Sequence, residues 1–169
     1  MNKSPGIDKI PTIIYKNAAP ILAAPLAHMI NVSILSRKFP ACWKHIIIVP
    51  FPKTNPSSRY ELRPISLMTV PSKICERLVL NTGLHDRFND AFGPMQFGCR
   101  KLSSTTAALV CLHDFITSAL DSNECQGVAL LAYDFSKAFD RLGQDIITDA
   151  LESNNFPPGF ILWMSSYMY

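Results

Sequence analysis

A continuous apolar run lies at residues 127–133, with the sequence GVALLAY, and Asp134 follows it directly. The lack of polar alternation is typical of a strand buried on both faces by packed helices. A carboxylate at the end of such a strand lies at a sheet edge, where ligands commonly bind. The stretch therefore predicts a central strand and a candidate metal ligand, although an aspartate at a strand end more often caps a turn.

The sequence around this strand predicts mainly helices. Apolar residues at helical spacing indicate one helix that ends near Leu35, a second capped by Ser72 and a third capped by Ser103 or Ser104. Two more helices are expected at about residues 144–154 and 159–169. The side chains expected to face inward from the first three helices are those of Leu22, Leu26, Met29, Ile30, Ile34, Ile74, Leu78, Ala107, Ala108, Cys111, Leu112 and Phe115.

A second extended region is predicted upstream of the central strand. The β-branched run at residues 46–49 ends at Pro50, which is typical of a buried strand. Residues 63–67 predict another short extended segment, and a hairpin between the two is plausible. Few strands interleaved with helices indicate an α+β fold.

Charge is scarce and unevenly distributed along the chain. Charged residues make up 17% of the 169 residues, against about 25% in a typical soluble domain. Residues 1–36 carry a net charge of +2, residues 37–101 carry +7 and residues 102–169 carry −6. The composition excludes a disordered tail and a charged coiled coil. The basic middle is suited to a polyanionic partner, and ordinary solvated helix faces remain the alternative.

The cysteine pattern and the uncharged segment bear on the location of the protein. The five cysteines form no C-x-x-C pair, so they predict neither a zinc module nor a disulfide framework. They favour a reducing, intracellular compartment, either nucleus or cytoplasm. The uncharged stretch 17–36 contains Pro20, Pro25, His28 and Asn31, which favours a core helix over a membrane span. No membrane partner is therefore expected.

The stretch 132–140, AYDFSKAFD, resembles the first palm motif of reverse transcriptases from non-long-terminal-repeat (LINE-type) retrotransposons. Other segments resemble further motifs of the same domain, in the order of that family, and together they span nearly the whole chain. They are residues 4–11 (SPGIDKIP), 39–44 (FPACWK) with 48–53 (IVPFPK), 63–67 (RPISL) with 72–77 (SKICER), and 96–100 (QFGCR) with 104–109 (STTAAL).

The sequence departs from the family pattern at several positions. Glu61-Leu62 stands where a tyrosine usually precedes Arg-Pro-Ile, Cys99 replaces an aromatic residue, and Gly143 lies where a histidine often follows. The Pro-Gln-Gly motif and the hairpin with two adjacent aspartates do not occur in the 169 residues. The resemblance thus implies a partial right-hand polymerase. Residues 1–122 form its fingers-type region and residues 123–169 the start of an incomplete palm.

The implied activity is template-directed addition of deoxynucleotides to a primer end. Two Mg²⁺ ions about 3.5–4 Å apart perform this chemistry in two-metal sites. The resemblance assigns Asp134 as a ligand of both ions and the main-chain carbonyl of Phe135 as one further oxygen ligand. The remaining carboxylates come from the aspartate hairpin, so the 169-residue chain alone is expected to be inactive.

The resemblance also assigns residues that hold the incoming nucleotide. Lys53 and Arg63 match fingers positions that bind the triphosphate, and the planar guanidinium pairs with two phosphate oxygens at once. The alternative is that Lys53 and Arg63 are ordinary surface charges on a hairpin and bind no phosphate. Phe139 matches the aromatic residue beneath the deoxyribose, where it excludes a 2′-hydroxyl, and Ala138 approaches the sugar through its backbone.

Template and primer contacts are assigned to Gln96 and Arg100, for which a purely structural role is equally open. The implied partners are an RNA template, a DNA primer, deoxynucleoside triphosphates and the rest of a retrotransposon polyprotein. The alternative function is that of a non-catalytic RNA-binding relic of a truncated element. A weaker alternative is a related maturase or RNA-dependent polymerase.

Overall fold

A computed structural model describes residues 4–52, 62–122, 126–135 and 138–169. Helices and a two-stranded sheet make up its regular structure, in agreement with the predicted α+β class. In chain order, the elements are α1 (Thr12–Asn17), α2 (Ala19–Ser36), α3 (Ala41–Lys44), β1 (Ile47–Pro52), β2 (Leu62–Leu67), α4 (Val70–Val79), a π-helical turn (Leu80–Leu84), α5 (His85–Ala91), α6 (Thr105–Asp121), α7 (Ala138–Arg141), α8 (Gln144–Ser153) and α9 (Pro158–Met168).

The chain divides into two compact units. The first unit is Met1–Leu84 together with Gln144–Tyr169, and the second unit is His85–Gly143. The predicted boundary between residues 122 and 123 separates two regions by their expected role in catalysis, whereas the two units are defined by how compactly the chain packs. That boundary therefore stays a prediction.

Helix α2 confirms the predicted helix that ends near Leu35. Pro20 lies in its first turn, where the missing N–H is not needed. The helix ends at Arg37, which has a left-handed backbone (φ 57°). The N–H groups of Arg37 and Lys38 donate to the carbonyls of Ile34 and Ser33, each at 3.1 Å. This double hydrogen bond is a Schellman motif, which satisfies carbonyls that the helix end would otherwise leave open.

Among the described residues, α2 is the one helix whose length and apolar composition would suffice to cross a membrane, with a mean hydropathy of 1.5. A single helix of this kind is weak evidence of a membrane span, because core helices of water-soluble proteins have the same composition. Its buried residues are Ile30 and Ser33. The expected lack of a membrane partner stays a prediction.

The expected hairpin strands are present as an antiparallel pair. β1 and β2 pair from Ile47 opposite Leu67 to Pro52 opposite Leu62, which places Phe51 opposite Arg63. The prediction that residues 46–49 are buried is wrong, since all residues of β1 are exposed. A two-stranded sheet buries a face only when another layer packs on it, and none of the described residues covers β1.

Helix α4 begins earlier than the sequence predicted. Its N-cap is Thr69, whose hydroxyl accepts the N–H of Ser72 at 3.4 Å, so the prediction of Ser72 as the cap is wrong. Pro71 lies in the first turn, where its fixed φ favours a helix start. Ser72 is instead buried (1% exposed) and its hydroxyl donates to Glu76. At its other end, α4 widens into the π-helical turn.

The core of the first unit is aromatic. Phe39, Trp43, Trp163 and Tyr167, which we call the aromatic core, join the segment after α2 to α9. The rings of Phe39 and Tyr167 meet edge to face at 4.8 Å, and Trp163 stacks parallel to Tyr167 at 6.1 Å. Such pairs add about 0.5–1.5 kcal/mol each beyond the area they bury. Helix α9 confirms the prediction of a helix at residues 159–169.

The N-terminal segment packs closely against the junction between β2 and α4. Gly6 is buried there, and a Cβ atom at this position would lie 2.7 Å from the backbone nitrogen of Thr69 and 2.8 Å from the carbonyl carbon of Met68. Both atoms are backbone, so they cannot rotate away. Only glycine permits this approach.

The second unit differs from the sequence prediction in two respects. Residues 126–135 form no strand and are exposed, so the prediction of a buried strand at 127–133 is wrong for the structure described. A strand requires hydrogen bonds from a neighbouring strand, and the two described strands, β1 and β2, pair with each other. Helix α6 is capped by Ser104 as predicted, but Cys111 and Phe115 are exposed rather than inward.

Candidate functional site

The candidate metal ligand lies in the irregular segment of the second unit. Asp134 is exposed, and the ring of Phe135 beside it is 85% exposed. The described part of the chain contains no cluster of three or more His, Cys, Asp or Glu side chains that could hold a metal ion. Because Mg²⁺ demands near-octahedral oxygen coordination, Asp134 and the Phe135 carbonyl could supply only part of such a site. Their assignment stays a prediction.

The residues assigned to the deoxyribose lie at the start of α7. Ala138 is the first residue of this four-residue helix and is exposed, and Phe139 follows it. Helix α7 follows Asp134 closely in sequence and belongs to the same unit. The predicted metal ligand and the predicted sugar contacts are thus close in sequence, and the sugar contacts stay a prediction.

Arg63 is the described member of the predicted phosphate-binding pair, since Lys53 lies outside the described residues. It is an exposed residue of β2, next to Pro64, which pairs with Pro50 of β1. The double-proline rung has no N–H to donate, and the pairing of β1 with β2 continues on both sides of it. An exposed guanidinium on such a hairpin is accessible to a phosphate.

Gln96 and Arg100 are held in one turn of the second unit. The backbone N–H of Gln96 donates to the carbonyl of Gly93 at 3.0 Å, and its side-chain Nε2 donates to the carbonyl of Gly98 at 3.2 Å. Nη1 of Arg100 donates to the Gly93 carbonyl at 3.4 Å. These bonds favour the structural role that the sequence left open for both residues, and their contact with template or primer stays a prediction.

Residues 4–84 of the first unit carry a group of cations, while residues 144–169 of the same unit carry three carboxylates, Asp145, Asp149 and Glu152. The described cations of residues 4–84 are Lys9, Lys16, Arg37, Lys38, Lys44, Arg63, Lys73 and Arg77, and the carboxylates of the same range are Asp8 and Glu76. Within the described ranges, none of these cations forms an ion pair, and both carboxylates accept hydrogen bonds from tyrosines. The cations are consequently free to attract a polyanion.

The two tyrosine–carboxylate contacts are partly buried. The hydroxyl of Tyr15 donates to Oδ2 of Asp8 at 3.0 Å, and that of Tyr167 donates to Oε1 of Glu76 at 3.2 Å. Burial, supported by the neighbouring carboxylate, raises the pKa of both Tyr15 and Tyr167 to about 12. Each phenol therefore stays protonated and remains a donor at physiological pH.

Tyr167, which the sequence did not single out, contacts the family-like motif at residues 72–77. Oε1 of Glu76 accepts from the hydroxyls of both Ser72 and Tyr167, each at 3.2 Å. Next to it Cys75 is fully buried, and burial raises the pKa of its thiol to about 11. This thiol is therefore un-ionised at neutral pH and unsuited to nucleophilic chemistry.

A second set of bonds fixes α9 against the end of α2. Nε1 of Trp163 donates to Oγ of Ser33 at 3.0 Å, and Ser33 donates in turn to the carbonyl of Lys38 at 2.7 Å. The N–H of Phe39 donates to Oγ of Ser166 at 3.1 Å. The aromatic spacing in residues 156–167 was the available sequence signal for these contacts.

Comparisons with known proteins agree with the motif pattern. No protein-family model matches the chain. The chain is 32% identical, over 99% of its length, to a probable RNA-directed DNA polymerase from transposon BS of Drosophila melanogaster. It is 29% identical, again over 99% of its length, to the RNA-directed DNA polymerase from mobile element jockey of the same organism. In both cases, it spans 18% of the relative's length.

Proposed function

We propose that this chain is the fingers and the start of the palm of an RNA-directed DNA polymerase from a non-long-terminal-repeat retrotransposon. The observation that carries the proposal is the similarity to two transposon polymerases over 99% of the chain. The motifs at residues 4–11, 39–53, 63–77, 96–109 and 132–140 occur in the order of that family. Residues 1–122 are then the fingers-type region and residues 123–169 the start of the palm.

The proposed chemistry is phosphoryl transfer from a deoxynucleoside triphosphate to a DNA primer paired with an RNA template. Positioning and charge neutralisation provide most of the catalysis in such reactions. Asp134 and the carbonyl of Phe135 supply oxygen ligands for Mg²⁺, which lowers the charge on the reacting phosphate oxygens. Further carboxylates must complete the set, because one carboxylate and one carbonyl cannot hold two such ions.

The unpaired cations of the first unit support the nucleic-acid part of the proposal. Lysine and arginine contacts to phosphates bind RNA independently of its sequence and weaken as salt rises. Arg63 on the exposed hairpin is the described residue best suited to the triphosphate. Phe139 at the start of α7 is the proposed steric barrier to a ribonucleotide.

A chimera tests the proposal. The matching 18% of the jockey polymerase is replaced by this chain, and extension of a DNA primer on an RNA template is measured with Mg²⁺. We expect extension by the chimera and its loss in Asp134→Asn, while Asp114→Asn, an exposed aspartate of α6, retains activity. Full activity in Asp134→Asn would refute the metal-ligand role.

The alternative function, a non-catalytic RNA-binding relic, predicts a different outcome in the same experiment. A relic gives a folded but inactive chimera, while the 169-residue chain still binds RNA with an affinity that falls as salt rises. Salt-sensitive RNA binding alone is common to both functions. Primer extension by the chimera is the measurement that separates them.

A second variant of the chimera tests the sugar contact. Phe139→Ala removes the ring that leaves no room for a 2′-hydroxyl, so it should raise incorporation of ribonucleotides relative to deoxyribonucleotides. Phe135→Ala, a change of an exposed ring nearby, should leave this ratio unchanged because only the carbonyl of Phe135 is assigned a role. Unchanged selectivity in Phe139→Ala would remove the barrier role.

A further inference from the structure

A cavity of about 270 Å³ opens on the first unit, and none of its lining residues is assigned to polymerase chemistry. The end of α2, the π-helical turn and the start of α9 form its walls, with Ile34, Val79, Leu84 and Phe160 as apolar lining. Arg37 lies at this cavity and is exposed. Pockets for small molecules typically enclose about 300–1,000 Å³, so this smaller space is suited to one or two side chains.

The backbone at Arg37 has a conformation that favours glycine. Arg37 occupies the left-handed position of the Schellman motif with φ 57°, where glycine is the usual residue because any Cβ is strained there. An arginine at this position therefore makes the folded state less stable than a glycine would. Strained backbone that persists in a folded protein is a reason to look for function.

The opposite wall is also irregular. The π-helical turn Leu80–Leu84 follows α4, and its residues Thr82 and Leu84 line the cavity. π-helical turns are rare and are frequent at functional sites. Two uncommon backbone features, on two separate elements, therefore face one cavity.

The lining identifies the chemistry of the occupant. The Thr82 hydroxyl already donates to the carbonyl of Val79 at 2.6 Å, and most of the remaining lining is apolar. A nucleobase would bury its polar edges here without partners, which is costly. An aliphatic side chain has no such penalty, and a carboxylate next to it would meet Arg37, which forms no ion pair within the described part of the chain.

We propose that this cavity is a docking site for a short acidic peptide segment, which inserts an apolar side chain and pairs a carboxylate with Arg37. Lys38, the next residue, adds positive charge at the same edge. Arg37 and Lys38 also belong to the cations that support RNA binding above, but the docking site does not rest on the polymerase function. Its main test measures peptide binding, so failure of one proposal leaves the other intact.

The test uses the 169-residue chain and a fluorescent, end-capped peptide of alternating glutamate and leucine, followed by anisotropy. We expect saturable binding, and about tenfold weaker binding of the matched glutamine–leucine peptide because the charge-assisted contact is lost. Arg37→Gly should weaken binding of the glutamate peptide by the same factor. This variant also relieves the backbone strain, so a folding defect cannot explain the loss.

Two further variants make the test specific. Lys9→Gly is the matched control, because Lys9 also has a positive φ of 56° and also loses one charge, but it does not line the cavity. It should bind the glutamate peptide as the unchanged chain does. Gly159→Leu should weaken binding of both peptides, because the leucine side chain would fill the cavity. There is room for this side chain, since a Cβ at Gly159 meets only Arg37 Nε, at 3.7 Å.

Three outcomes would overturn the docking site. They are absence of peptide binding by the unchanged chain, unaltered binding by Arg37→Gly, and an equal loss in Lys9→Gly. Loss of oligouridylate binding in Gly159→Leu, which fills the cavity without changing a charge, would assign the cavity to nucleic acid and contradict the peptide proposal.

Discussion

Two segments of the first unit that resemble family motifs contain buried residues, whereas the segment of the second unit that leads into a motif of the same family is exposed. In the first unit, residues 39–44 and 72–77 are anchored by Phe39, which is 4% exposed, and Cys75, which is fully buried. In the second unit, residues 126–135 contain Leu131 at 74% and Tyr133 at 88% exposure. A helix satisfies its own backbone and needs only packing, whereas a strand needs a partner for every other N–H and C=O.

Amide hydrogen exchange should show the largest difference between the exposed residues 128–135 and helix α9 of the first unit. Residues 128–135 form no helix or strand and are exposed, so we expect exchange close to the unprotected rate. The amides of α9 should be protected by a free energy close to that of global unfolding, on the order of 5 kcal/mol or more. Mass spectrometry of exchanged peptides measures both in one sample.

The jockey chimera sharpens this comparison. If palm strands from the relative pair with residues 127–135, exchange there should become slow while α9 changes little. Strong protection of residues 127–135 in the 169-residue chain itself would contradict the exposed conformation.

Trp163→Ala should cause the largest loss of stability among the point variants. The indole is 5% exposed, contacts Phe39 and Tyr167, and donates to Ser33. Truncation of a buried tryptophan typically costs about 3–5 kcal/mol. Urea unfolding followed by circular dichroism measures the change, and Leu162→Ala, a half-exposed neighbour on α9, should cost far less.

Gly6→Ala should give the next largest effect. The added Cβ would lie within 2.8 Å of three backbone atoms at Met68 and Thr69, so the N-terminal segment must move, at a cost of about 1–3 kcal/mol. Gly159→Ala is the matched control in the same unit, because its Cβ makes only an ordinary contact of 3.7 Å. Equal stability of the two variants would show that the N-terminal segment is not packed against the β2–α4 junction.

Tyr167→Phe should have the smallest effect, about 1 kcal/mol, since it removes one hydrogen bond to Glu76 and keeps the ring. The pKa of Tyr167 is raised from 10.0 to about 12 in the folded state. Its contribution to stability is therefore present below pH 10 and is lost as the pH rises from 10 to 12.

The pH dependence identifies this contact specifically. The fall in unfolding free energy between pH 10 and 12 should be shallower in Tyr167→Phe than in the unchanged chain. Tyr169→Phe, a change of an 84% exposed tyrosine, should leave the fall as it was. An identical slope in all three proteins would exclude the Tyr167–Glu76 contact.

Much of the helical structure was predictable from local sequence. Apolar spacing and the Ser104 cap identified α2, α6, α8 and α9, because helical hydrogen bonds and capping act within a few residues. The pairing of β1 with β2 was also anticipated. The burial of these elements was not predictable in the same way. β1 and the ring of Phe115 are exposed although their residues are apolar.

The candidate site also has a part that the sequence predicted and a part that only the structure shows. Asp134, Phe139 and Arg63 were identified by motif, and the structure adds that Asp134 and Arg63 are exposed. The Tyr167–Glu76 contact joins residues 91 positions apart, and Trp163 bonds to Ser33 across 130 positions. No pattern within a helical turn predicts such pairs, because they depend on how α9 packs.

By itself, the sequence determined that the longer helices α2, α4, α6, α8 and α9 form, which two segments pair as a hairpin, and which family motifs the chain carries. All of these depend on neighbours along the chain. Tertiary structure alone decided that α9 closes the aromatic core, that Gly6 must lack a side chain, and that a cavity opens beside Arg37. The physical reason is that burial, close backbone approach and empty space are properties of segments distant in sequence that meet in the fold.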